Sequence, residues 1–145
     1  EMCIRDRLYT DRPEAGTSVA DAMRDLVGEA EDRYGADVEL VVVGDRVPDR
    51  ATEVIVAAAR EALSNAVRHG APPVSVYAEL SDRQMEVFVR DRGPGFDLDT
   101  IASDRHGVRE SIIARMDRHG GTGAVRRLAQ GTEVILSLPT PSQGA

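Results

Sequence analysis

Glu61 and Asn65 stand four residues apart in the segment EALSNAVRHG. On a helix that spacing puts both side chains on one face, about 6 Å apart, so a carboxylate and an amide can converge on a single small object. A hydrated magnesium ion with its phosphates suits such a pair. Arg68 and His69 continue the polar face toward the helix end and could meet phosphate oxygens, although a histidine there is equally explained by the helix dipole. Further along, DRGPGF at 91–96 sets a carboxylate, Asp91, before a glycine-rich turn that lets backbone approach a ligand without Cβ obstruction. A fixed acceptor of that kind selects a base with an exocyclic amine, as adenine has, because a base without one leaves the buried group unpaired. Taken singly, each segment has a plain explanation: a solvated helix stripe for the first, a turn after a hairpin for the second. Their order, closed by GTEVILSLP from Gly131, is what points to a nucleotide site.

All 18 basic residues are arginine, and no lysine occurs in the 145 residues. That removes the phosphate-loop lysine, the strand lysine of eukaryotic-type protein kinases and any Schiff-base lysine. Phosphate chemistry must then rest on arginine, backbone amides, helix ends and metal. The net charge of −7, with two Phe, three Tyr and no Trp, argues against a nucleic-acid surface, which needs a basic patch and often stacking aromatics. A single cysteine, Cys3, excludes an internal disulfide framework. There is no apolar run long enough to span a bilayer, so no direct membrane contact and a cytoplasmic location are expected.

The elements that must hold these residues follow from periodicity. Val19, Ala22, Met23, Leu26, Val27 and Ala30 recur at helical spacing from Ser18 to about Tyr34, with Thr17 or Ser18 as cap and Gly35 as stop. VELVVVGD (38–45) reads as a strand. The longest helix runs from about Asp49 to His69 over a stripe of Val54, Ile55, Ala58, Ala62, Leu63, Ala66 and Val67, and Gly70 ends it before two prolines. VSVYAEL and QMEVFVRD alternate in period two around Ser81 and Asp82, predicting an antiparallel hairpin. Residues 97–106 read as a loop over the site, followed by a helix from Gly107 to His119 in which Val108, Ile112, Ile113 and Met116 restore helical spacing, then strands over 122–128 and 132–138. Three helices and about five mixed, mostly antiparallel strands predict an α+β two-layer sandwich with the helices on one face of the sheet.

With those motifs in order, the chain resembles the ATP-binding catalytic domain of bacterial sensor histidine kinases, in the GHKL superfamily with its Bergerat-type fold. EALSNAVRHG resembles the asparagine box, DRGPGF the first glycine box, HGVRESIIARMDRHGG the second, and GTEVILSLP the closing glycine-threonine element. GVRESIIARM is most similar to kinases of the nitrate-sensor type, and particularly to PspC-domain-containing sensor kinases. The resemblance implies ATP and Mg2+ as ligands. It gives Asn65 to the magnesium, and makes Glu61 the group that orders a metal-bound water or acts as base toward an incoming imidazole. It gives Asp91 to the adenine amine and Thr132 to a water beneath the base. Gly93, Gly95 and Gly107 would shape the pocket and its lid, Gly107 and Val108 would offer helix-start amides to the phosphates, and Arg105 and His106 would lie at phosphate distance. The segment between Phe96 and Gly107 is short and lacks the doubled glycine of longer-lidded kinases.

The implied partners are a histidine-bearing dimerisation domain and, downstream, a response regulator. His69, His106 and His119 all fall within the matched motifs, and nothing before Thr17 could form the phosphoacceptor helix, so the expectation is a catalytic domain separated from its phosphoacceptor. Residues 1–16 are expected to be disordered or a sequencing scar, 17–139 the ATPase domain, and 140–145 a flexible tail. The principal alternative is a stand-alone anti-sigma-factor serine kinase, which resembles this chain in length and motifs but lacks support from GVRESIIARM. A nucleotide-binding interaction domain without kinase activity is the other, and retention of Glu61, Asn65 and Asp91 speaks against it.

Overall fold

The helix that carries Glu61 and Asn65 is fixed at both ends by its own sequence. In the computed structural model, which describes residues 18–92 and 103–139 (side chains of the second segment from 110 onward), this helix, α2, spans Arg50–His69. Asp49 and Thr52 form a reciprocal capping box, the Asp49 carboxylate accepting from the Thr52 amide at 2.9 Å and the Thr52 hydroxyl oxygen accepting from the Asp49 amide at 2.7 Å. It is preceded by α1 (Val19–Tyr34) and β1 (Val38–Gly44) and followed by β2 (Val74–Leu80), β3 (Gln84–Asp91), α3 (Ser103–Arg118), β4 (Thr122–Arg127) and β5 (Thr132–Pro139). Ser18 caps α1, and Gly35 ends it in the left-handed conformation at φ 65°.

The five strands form one sheet in the order β1-β2-β3-β5-β4, with β1 and β2 parallel and every other pair antiparallel. The parallel pair follows from α2, which crosses over between them. The helices lie in one layer with α2 packed between α1 and α3. Period-two alternation sends Val76, Ala78, Met85, Val87, Val89, Leu136 and Leu138 into the interface, where they meet Met23, Leu26, Ile55, Leu63, Ile112 and Met116. The α+β sandwich read from the sequence is therefore the fold. The opposite face of the sheet is open. Across it Val41, Tyr77, Phe88, Ile135 and Ala124 stand opposite one another on successive strands, and beside them Glu133 is buried between Arg90 (3.2 Å) and Arg126 (2.8 Å).

Two expectations need correction. Residues 103–106, read as the end of a loop, already belong to α3, so the helix begins at Ser103 rather than Gly107; a serine and an aspartate favour a first helical turn, and the apolar periodicity used to set the boundary starts only later. Ile113, counted in the apolar stripe, is exposed, and among the described residues of α3 it is Ile112 and Met116 that are buried. The readings of residues 1–17, 93–102 and 140–145, including those of Gly93 and Gly95, lie outside the described residues.

At the end of α2 remote from Asn65, Arg46 ties three elements together. Its guanidinium donates to the carbonyls of Ser81 (3.0 Å) and Asp82 (3.1 Å) in the β2–β3 turn and to the Asp49 carboxylate (2.7 Å). That guanidinium hydrogen bond, followed by the Thr52 amide, holds the Asp49 carboxyl below the usual carboxylate range. For Asp45, burial works against the charge, but the Ala20 amide, the Ser18 hydroxyl and the Arg46 amide outweigh it and its pKa is also lowered.

Candidate functional site

The C-terminal end of α2 meets the end of β3. Gly70 caps the helix with extended backbone, φ −89° and ψ −157°, so it is not glycine for the sake of a left-handed turn. A Cβ on it would lie 2.7 Å from both the Ala66 carbonyl oxygen and Cβ of Asp91. Glycine is required because the Asp91 side chain packs directly against the helix end. The next residues are stitched together, the Arg92 amide donating to the Ala71 carbonyl at 2.9 Å.

Asp91 is 3% exposed and stands opposite Thr132 across the β3–β5 ladder. From the other side Gly131, at φ 102°, presses on the Asp91 backbone, and a Cβ there would run into the Asp91 carbonyl. Asp91 is thus held between glycines from two elements, Gly70 against its side chain and Gly131 against its backbone, and burial of a polar group this complete requires partners of fixed geometry. Asp91 and Thr132 are brought together as the motif order predicts.

Glu61 and Asn65 occupy the turns of α2 that lead away from this point. With Arg68 they line an open cleft of about 410 Å3 between α1 and α2, completed by Arg33 and Tyr34 of α1 and by Arg115 of α3. Oδ1 of Asn65 is buried and has no hydrogen-bond partner among the described residues. An orphaned carbonyl-type oxygen is costly, and it is the kind of oxygen that coordinates magnesium or accepts from a water of its shell, so the residue fits the ion that the resemblance implies. Among the described residues no cluster of three His, Cys, Asp or Glu could hold a metal without help from a ligand; a magnesium ion carried by phosphates needs no such cage. Ser64 shares a hydrogen bond with Tyr34 at 3.2 Å, which fixes the α1 wall of the cleft.

His69 is half-buried and does not line the cleft, so it is not brought together with Glu61 and Asn65. Asp91 does not line it either. Arg105, His106, Gly107 and Val108 all fall in the first two turns of α3. Two residues of the site escaped sequence reading. Gly70 was read only as a helix stop, whereas its contact with Asp91 depends on a sheet pairing far along the chain. Arg115 reaches from α3 to Glu61, Nη1 to Oε1 3.4 Å, and no local spacing rule connects positions 54 residues apart.

Comparison with known proteins gives a family match described as Histidine kinase-like ATPase domain over residues 17–134. A probable sensor histidine kinase from Mycobacterium tuberculosis (strain CDC 1551 / Oshkosh) is 32% identical over 168 aligned positions, covering 95% of this chain and 43% of that protein. Sensor histidine kinase LiaS of Bacillus subtilis (strain 168) is 25% identical, covering 86% of the chain and 35% of that protein. The chain thus spans less than half the length of either relative. The mycobacterial sensor histidine kinase MprB has a similar fold, with a TM-score of 0.62 at 17% identity over 84% of this chain and 94% of that one. The histidine kinase domain of the blue-light activated kinase from Erythrobacter litoralis EL346 also superposes with a TM-score of 0.62, at 21% identity over 83% of this chain and 60% of that one.

Proposed function

Because the chain belongs to the histidine kinase-like ATPase domain family, an ATP-binding fold, we propose that it is the catalytic domain of a two-component sensor histidine kinase. It transfers the terminal phosphoryl group of ATP to a histidine on a dimerisation domain, from which a response regulator takes it. The observation that carries this reading is the buried Asp91 carboxylate at the end of the same helix that presents Asn65 and Glu61. Asp91 selects the base, and the polar face of α2 leading back from it through Asn65 to Glu61 manages the phosphates.

In this reading Asp91 accepts from the adenine amine, and Thr132 supports the base from the neighbouring strand. Asn65 would hold magnesium, which when bound neutralises phosphate charge. Because α3 begins at Ser103, the free helix-start amides that would meet phosphates are those of its first turn, which includes Arg105 and His106, whereas the amides of Gly107 and Val108 fall inside the helix. Arg68, exposed at the rim of the cleft, supplies a guanidinium in place of the missing lysine. As the imidazole nitrogen forms its bond to phosphorus, the bond from that phosphorus to the bridging oxygen of ADP breaks, and the imidazole proton passes to Glu61. Catalysis is then chiefly positioning and electrostatics.

A stand-alone anti-sigma-factor kinase is not favoured, since the relatives bear the names of sensor histidine kinases. Calorimetric titration with ATP, with and without magnesium, tests the reading. Binding that is strengthened by magnesium and lost in Asp91→Ala is expected. Absence of binding by the wild type, or undiminished binding by the variant, would refute it.

A further inference from the structure

We infer that Arg115 binds the terminal phosphate of ATP and so discriminates ATP from ADP, with Glu61 as the competing acceptor for the same guanidinium. The inference rests on the proposed ATP site and extends it to a residue on α3 that the sequence motifs do not single out.

The first step is distance along α2. Asp91 packs against Gly70, Asn65 lies five residues back and Glu61 nine. At 1.5 Å per residue those are about 7.5 and about 13.5 Å of helix. A nucleotide with its base at Asp91 and its phosphates running along α2 therefore passes Asn65 first and ends level with Glu61.

A carboxylate at that end repels the phosphate unless a cation stands between them. Among the described residues Arg115 is the cation paired with that carboxylate, with Nη1 3.4 Å from Oε1 of Glu61. Two of the other arginines of the cleft are drawn toward α1, Arg60 to Glu29 at 3.5 Å and Arg33 over the Tyr34 ring at 5.8 Å. Arg68 stands one turn of α2 on the far side of Asn65, level with inner phosphates.

The pair with Glu61 is weak enough to yield. At 3.4 Å through one nitrogen it is longer than the 2.7–2.9 Å or so of a tight charge-assisted bond, and both side chains are 32% exposed. A guanidinium carries five donors, and a terminal phosphate offers the bidentate, doubly charged acceptor that a single carboxylate contact does not. When Arg115 turns to the phosphate, Glu61 loses its counter-ion and becomes available to the incoming imidazole. The base is thereby engaged only when a third phosphate is present.

The test is calorimetric titration of the 145-residue chain with ATP and with ADP, for the wild type and for Arg115→Ala, Arg115→Lys and Arg115→Met, the last keeping the packing of the stem should the alanine variant unfold. Loss of Arg115 should weaken ATP roughly tenfold while changing ADP less than about twofold, and lysine should recover part of the loss. Glu61→Gln should tighten ATP in the wild-type background and not in Arg115→Met. Equal losses for ATP and ADP, or none, would overturn the inference while leaving an Asp91-dependent ATP site intact. A wild type that binds neither nucleotide overturns the functional reading, and the inference with it.

Discussion

Replacing Gly131 by alanine tests the architecture of the site most directly. The residue sits at φ 102° between β4 and β5, where a methyl group would strike the Asp91 carbonyl oxygen and lie 2.7 Å from the Asp91 carbonyl carbon and 2.8 Å from Cα of Arg92. All three are backbone atoms, of the last residue of a paired strand and of the residue that follows it, so no side chain can swing aside. Overpacking of this kind costs about 1 to 3 kcal/mol, and a non-glycine residue at positive φ adds about 1 to 2 kcal/mol. The sum, about 2 to 5 kcal/mol, corresponds to a fall in Tm of about 6 to 20 °C for a domain of this size. Gly28 is the matched control: it lies inside α1, a methyl group on it would meet nothing within 4 Å, and alanine there should stabilise by about 0.5 to 1 kcal/mol. Thermal unfolding followed by circular dichroism, with urea titration for the free energies, measures both. The reasoning fails if Gly131→Ala melts within about 2 °C of the wild type, or if Gly28→Ala is the more damaging of the two.

Two further outcomes follow from other parts of the molecule. Asn65→Ala removes the orphaned buried oxygen and restores a good helix former, so it should leave stability unchanged or raise it by up to about 1 kcal/mol while abolishing the gain in ATP affinity from magnesium; paired denaturation and titration experiments check this, and a destabilised variant with an intact magnesium effect would contradict it. Asp45 and Asp49 have folded pKa values below their unfolded ones, so the stability they contribute is complete above about pH 4 and is lost as pH falls through the folded values. The difference in unfolding free energy between wild type and Asp49→Asn should therefore shrink on going from pH 7 to below about pH 4, and a difference that stays constant would show that the Arg46 bond does not act through ionisation.

The sequence made the strands and two of the three helices legible because their signals are local. Ser18, Gly35, Asp49 and Gly70 mark helix ends, and alternation in 74–80 and 84–91 sets both the hairpin and its buried face. Asn65 and Glu61 are visible for the same reason, since i and i+4 on a helix share a face wherever that helix sits. The start of α3 was misread because its first turn, Ser103 to His106, contains no apolar residue to establish a period. Periodicity does not fix which of the adjacent Ile112 and Ile113 faces the core, since neighbours such as Leu26 and Val27 are both buried; the packing of α3 on the sheet decides it and buries Ile112. Arg115 was invisible, and so was the true role of Gly70, because both depend on contacts between elements that no spacing within one element encodes.

The wedge around Asp91 has a consequence for how the domain assembles. Its two glycines, Gly70 and Gly131, are 61 positions apart, and the carboxylate lies on a third element between them. The group proposed to recognise the base acquires its surroundings only once α2, β3 and the β4–β5 hairpin have all come together, so a partly folded chain has no weaker version of the site to offer. Ligand binding is then linked to the whole folding equilibrium, and saturating nucleotide should slow hydrogen exchange in β5 as well as in the residues it touches.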